Sequence, residues 1–150
     1  MATMKAVVIR ELGRPQKVLK VETLPVPVPK EHQVLISIKA FGLNRSEMFT
    51  RQGYSLSIKF SRVLGIEAVG LGEEMTSPKC KDDDIVATCM GGMCRDFDGG
   101  YAEYTCVPAT QVQVINTELP WEILGAMPEM LQTAYGSVFR ALCLARVHGS

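Results

Sequence analysis

The amino-acid sequence predicts a mainly β fold, a partly open β-barrel with short helices and a C-terminal helix. Short β-branched runs are punctuated throughout by 13 Gly and 8 Pro, and helical periodicity is confined to the last quarter of the chain. A chain of 150 residues suffices for one core that buries about 70% of the unfolded surface. With 47% hydrophobic and 21% charged residues, the composition is that of a folded domain and not of a disordered chain.

The elements follow in order. Lys5 to Arg10 is apolar and β-branched, and Gly13 and Pro15 separate it from Val18 to Leu24, so the two runs are expected to pair as antiparallel strands. Pro25, Pro27 and Pro29 cannot donate ladder bonds and mark an extended connector. From Gln33 to Phe41, Val34, Ile36, Ile38 and Ala40 share one face under a period of two, the strongest strand signal in the chain. Asn44 to Arg51 reads as a short helix, with Asn44 as its cap, Glu47 three residues on and Gly53 at its end. Glu67 to Leu71 and Ile85 to Thr88 read as strands flanking a charged turn, Lys79 to Asp84. Gly91, Gly92, Gly99 and Gly100 bend the chain before a strand at Tyr101 to Val107, with another at Val112 to Ile115. Leu119 to Leu124 can form a helical turn, and Glu129 to Ala145 carries Met130, Ala134, Val138 and Ala141 at helical spacing.

Charge and composition exclude several functions. Sixteen basic residues balance sixteen acidic ones, which predicts no nucleic-acid partner and no attraction to an anionic membrane surface. No apolar run approaches the roughly 20 residues of a spanning helix, and Met1 to Arg10 lacks a signal-peptide core, so a cytoplasmic protein is expected. The five cysteines form an odd set without a C-x-x-C pair, and reduced thiols are expected. Gly91 and Gly92 lack the G-x-G-x-x-G spacing of a phosphate-binding turn. His32 and His148 have no nucleophile or second histidine nearby in sequence and are expected to be exposed.

Five segments taken together resemble a known family: MKAVVI at the start, KAFGLNRSEMFTRQG from Lys39, VLGIEAVG from Val63, GGYAEY from Gly99 and LQTAYGSV from Leu131. Their order and spacing resemble the N-terminal, GroES-like domain of the medium-chain dehydrogenase/reductase superfamily. The resemblance implies that residues 1–128 form that domain and that residues 129–150 begin the helix leading to a cofactor domain. Zinc alcohol dehydrogenases of the family place catalytic-zinc ligands at positions matching Asn44, Ile66 and Glu129. Ile66 has no donor atom and Asn44 is a poor ligand, so no catalytic zinc is expected. Cys80, Cys89, Cys94 and Cys106 are separated by eight, four and eleven residues, whereas structural zinc sites favour short gaps, so no structural zinc is expected either; Cys143 completes the five.

An asparagine at the first ligand position resembles the zinc-independent quinone oxidoreductase branch. That resemblance implies NADPH or NADH as cofactor, with Asn44 and Thr133 beside the nicotinamide. It also implies Phe49 and Tyr54 around a quinone or other small apolar substrate. An amide and a hydroxyl suit the orientation of a carboxamide, and hydride transfer depends on such positioning. On the residues alone, Asn44 serves equally as a helix cap and Phe49 as a core contact. Arg51 reads either as a site for an anion or as a solvated charge, and Glu67 as a structural carboxylate that needs partners if buried. The family's Rossmann domain would begin where this chain stops, at Ser150. The chain is therefore expected to be truncated, to hold no dinucleotide tightly and to be inactive alone, with no catalytic residue assigned. Two other readings are a free-standing small-molecule-binding protein and a chaperonin-cap-like structural protein. An apolar face on Met130 to Ala145 predicts self-association, as in a homodimer.

Overall fold

The computed structural model describes residues 1–55, 58–75 and 81–142. The expectations for Lys79, Cys80, Cys143, His148 and the tail from Ala145 to Ser150 lie outside the described residues. Strand β1 (Thr3–Ile9) pairs antiparallel with β2 (Lys20–Pro25), from Thr3 opposite Pro25 to Val8 opposite Lys20. The sequence places Val18 in that second strand, whereas Pro15–Val18 forms a helical turn, α1. Pro15 at the first helical position presets φ and has no N–H to satisfy, which favours the turn. On its other edge β1 meets the short β4 (Arg62–Val63), completing a three-stranded sheet.

The second sheet is antiparallel, in the order β7-β3-β5-β6-β8. Its strands are β3 (Gln33–Ala40), β5 (Glu67–Met75), β6 (Ile85–Cys89), β7 (Tyr104–Pro108) and β8 (Gln113–Val114). Val34 and Ile36 face a core shared with Ala68, Val86, Met93 and Val107. The expected one-sided alternation along β3 is incomplete: Val34 to Ser37 are all buried, so both faces of the sheet are covered at that level.

Residues 99–103 bridge the two sheets. Val7 N–H donates to Tyr101 C=O (2.7 Å), Glu103 N–H to Lys5 C=O (3.0 Å) and Ile38 N–H to Glu103 C=O (2.8 Å). The described ladders thus form two linked sheets and not one closed barrel. This crossing shortens the strand expected from Tyr101 to one beginning at Tyr104. Gly99 N–H and Tyr101 N–H donate to the carbonyls of Val63 and Leu64 (2.9 and 2.8 Å), so the segments that begin at Val63 and Gly99 lie directly on each other. A Cβ at Gly100 would stand 2.3 Å from the Glu67 carbonyl oxygen, which excludes any larger residue.

Helix α2 (Arg45–Gln52) follows β3 and ends at Gly53 in the left-handed region (φ 93°). Near the C-terminus, α3 (Trp121–Leu124) seats Leu124 against Val69 and Ala87. Helix α4 (Pro128–Tyr135) again starts on proline, and Gly136–Ala141 continues it with π-helical turns. The long helix expected to Ala145 is therefore a short α-helix with a wider continuation through Ala141, and the rest lies outside the described residues.

Candidate functional site

The site is built where the end of β3, the start of β5 and the start of α4 converge. Asn44 has an extended backbone (φ −111°, ψ 153°) and stands at the N-cap of α2. Its N–H donates to Glu47 Oε2 (3.0 Å), the carboxylate half of a capping box. Its amide nitrogen points away from the helix and donates to Glu67 Oε1 (2.7 Å). The other oxygen of Glu67 accepts the backbone N–H of Glu129 (2.9 Å). Thr133 Oγ1, one turn later on α4, donates to Glu129 Oε1 (2.6 Å). Asn44, Glu67, Glu129 and Thr133 thus form one connected chain through three elements. The two residues expected beside a nicotinamide are its ends.

Glu67 is only 2% exposed, and two N–H donors stabilise its carboxylate. Gly42 makes room for it, since a Cβ there would lie 2.1 Å from Glu67 Oε1. A second buried carboxylate, Glu47, accepts the N–H of Ile66 (3.0 Å) in addition to that of Asn44. Burial pushes its carboxyl above the ordinary range, the backbone donors offset part of that, and the nearby Glu67 charge adds to it. The sequence marks Glu47 as a capping partner; nothing local reveals that it also receives Ile66, because that contact depends on the packing of α2 on β5. Tyr101 is a further neighbour that the sequence analysis missed. It stacks at 4.8 Å on Phe41, and burial, followed by Glu47, pushes its hydroxyl upward.

Of the three positions that match zinc ligands, Asn44 and Glu129 both bond to Glu67 while Ile66 packs with Ile9, Leu64 and Cys94, and their chemistry does not suit zinc. Ile66 is buried hydrocarbon, Asn44 is committed to Glu67, and only Glu129 offers a carboxylate. Among the described residues no cluster of three His, Cys, Asp or Glu could hold a metal ion. Cys89, Cys94 and Cys106 are free thiols. Burial pushes Cys89 and Cys94 up to about 11, with Glu67 adding at Cys89 and Glu47 at Cys94. Cys89 Sγ donates to Gln132 Oε1 (2.7 Å).

Phe49 and Tyr54 form an edge-to-face pair, 5.7 Å between ring centres at 83°, and Arg45 stands 5.6 Å over the Phe49 ring. Phe49 is 41% exposed, so the core-contact reading is corrected: the ring lies at the surface of α2. Tyr54 lines an open cleft with Leu12, Arg14 and Arg51. Asn44 lines a separate cavity of about 210 Å³ with Met48, Leu64 and Tyr101. Arg51 borders both. His32 is exposed, with φ 63°. Gly91 and Gly92 adopt left-handed conformations (φ 57° and 101°), and Gly91 C=O accepts from Gln111 Nε2 (2.6 Å). No helix among the described residues is long and apolar enough to cross a membrane.

The alcohol dehydrogenase GroES-like domain matches residues 30–117. A quinone oxidoreductase of Lama guanicoe is 32% identical over 93% of this chain and 42% of its own length. An NAD-dependent alcohol dehydrogenase of Sulfurisphaera tokodaii is 31% identical over 70% of this chain and 38% of its own length. Among solved structures, the human synaptic vesicle membrane protein VAT-1 homolog-like protein superposes with a TM-score of 0.85 at 27% identity, covering 95% of this chain and 45% of that one. The chain thus spans less than half the length of these relatives. It belongs to the alcohol dehydrogenase GroES-like domain family, within the medium-chain dehydrogenase/reductase superfamily and on its quinone-oxidoreductase-like side.

Proposed function

We propose that this chain is the substrate-side part of a cytoplasmic, NADPH- or NADH-dependent, zinc-independent enzyme that reduces a quinone or activated alkene. Residues 1–128 form the GroES-like domain in this reading, and the helix from residue 129 leads out of it. The connected chain from Asn44 through Glu67 and Glu129 to Thr133 carries the proposal. With its nitrogen committed to Glu67 and one lone pair of its amide oxygen taken by the Glu47 N–H of the capping box, Asn44 presents the other lone pair; with its proton committed to Glu129, Thr133 presents hydroxyl lone pairs. Two acceptors suit the two N–H donors of a carboxamide. When bound, a reduced nicotinamide supplies a hydride. Asn44 and Thr133 orient it, and Glu67 and Glu129 hold those two side chains in place. The exposed rings of Phe49 and Tyr54, set edge to face, offer apolar surface to the substrate.

The division of labour is tested by mixing the purified chain with NADPH and naphthoquinone while following nicotinamide absorbance, with side-chain NMR recorded in parallel. The expected result is no turnover, with quinone-induced shifts at Asn44, Phe49 and Tyr54. Turnover by this chain alone would overturn the division. Quinone shifts confined to other residues would overturn the site.

A further inference from the structure

Arg51 separates the two cavities of the site and is the cation common to both. It lies in the last turn of α2 and is half-buried. Its Nη1 donates to the Gly13 carbonyl, and Gly13 N–H returns a bond to the Arg51 carbonyl (3.2 Å), fixing the side chain against the loop before α1. No ion pair joins Arg51 to a carboxylate among the described residues. Glu47 borders the same cavity, but its oxygens already accept from Asn44 and Ile66. A guanidinium carries five N–H donors, and the single carbonyl uses only part of that capacity. The remaining lining on the Asn44 side is mostly apolar, with Leu43, Met48, Leu64 and Tyr101. On the Tyr54 side a second arginine, Arg14, adds positive charge, also without a carboxylate partner among the described residues.

We propose that Arg51 determines substrate specificity by selecting an electron acceptor that carries an anionic substituent, a carboxylate or sulfonate, on a flat conjugated carbonyl body. The inference rests on reading the Asn44 cavity as the substrate side of the site. The planar fork of Arg51 matches a carboxylate or sulfonate bidentately, and the low-polarity wall strengthens that attraction relative to water. The body of the acceptor lies against apolar side chains, and the anion reaches Arg51 at the boundary of the two cavities. No bond is made or broken in this recognition.

Equilibrium dialysis of the chain against naphthoquinone and naphthoquinone sulfonate tests the proposal. The sulfonate is expected to bind about tenfold more tightly at low salt, with the preference shrinking as salt rises. Arg51→Gln should remove the preference, so that the two probes bind about equally to that variant, and Arg51→Lys should retain part of it, because the charge remains without the fork. Because Arg51 also holds the Gly13 loop, naphthoquinone binding in each variant reports whether the site survives. If Arg51→Gln does not fold, Arg51→Lys and the salt series decide: a preference that neither changes overturns the proposal. Equal binding of the two probes overturns it while the substrate-side reading stands. An anion preference that persists in Arg51→Gln overturns it as well. Failure of both probes to bind overturns the substrate-side reading and the specificity role together.

Discussion

The start of β5 and the face of α4 are joined by one hydrogen bond, yet they are built on opposite terms. At the start of β5, Ile66 to Gly70 are all buried, and the carboxylate of Glu67 is surrounded by donors. Helix α4 has no buried residue, and Met130, Leu131 and Tyr135 are 53%, 49% and 42% exposed. The first region spends polar groups on internal order. The second leaves apolar groups facing outward. Thr133 sits on the second and is tied through Glu129 to the first, so the position of its hydroxyl depends on a buried carboxylate.

Removing that carboxylate should have the largest effect. Glu67→Ala orphans the Asn44 amide and the Glu129 N–H together, for a loss of about 3 kcal/mol in urea unfolding. Glu67→Gln keeps one acceptor oxygen and should lose about half as much. If the two variants unfold at the same midpoint as the parent, the carboxylate does not hold the regions together. Gly42→Ala sharpens the same point from the other side, because its Cβ would enter the space of Glu67 Oε1, 2.1 Å away. A cost of about 2 kcal/mol is expected, with the Asn44 side-chain amide resonance shifted in NMR.

The neighbouring Glu47 should give the site a pH dependence. Its folded-state carboxyl lies above the unfolded value, with burial as the main cause. The folded state therefore holds the proton more tightly than the unfolded state, and stability falls as pH rises from the unfolded value through the folded one. The slope is at most about 1.4 kcal/mol per pH unit for one proton. Glu47→Gln should flatten the decline in urea midpoint above the ordinary carboxylate range. A parent midpoint that rises through that window, with an unchanged slope in the variant, would exclude Glu47 as the source.

The same contrast separates what was legible in the sequence from what was not. Local chemistry announced the β1–β2 pair, the proline connector and α2, whose Asn44, Glu47 and Gly53 all act within one helix. The motifs around Asn44, Val63 and Gly99 were visible as strings, but their mutual contact was not. Gly42 and Gly100 are explained only by the atoms that approach them, Glu67 Oε1 and the Glu67 carbonyl, from 25 and 33 positions away along the chain. Glu67 read as a carboxylate in need of partners, and its partners proved to be N–H groups on Asn44 and Glu129 rather than a cation. Phe49 was ambiguous because one aromatic on a short amphipathic helix carries no sign of which side will be covered, and it is exposed beside Tyr54. Periodicity located the last helix but not its change to π-helical turns after Tyr135.

The smallest effect on stability, and the most direct reading of the outward face, comes from α4. Met130 and Leu131 are half-exposed and make no core of their own, so replacing either with Lys should alter unfolding by no more than about 0.5 kcal/mol. Their association behaviour should change more. The parent chain is expected to self-associate at high concentration, because clustered apolar side chains on one helix favour burial against a second copy. Met130→Lys with Leu131→Lys places two charges on that face and should shift the sedimentation profile toward the monomer, while the Thr133 to Glu129 bond on the neighbouring side remains. A parent that stays strictly monomeric, or a double variant that associates as strongly as the parent, would remove this face as the contact and leave α4 with its ties to Glu67 and Cys89.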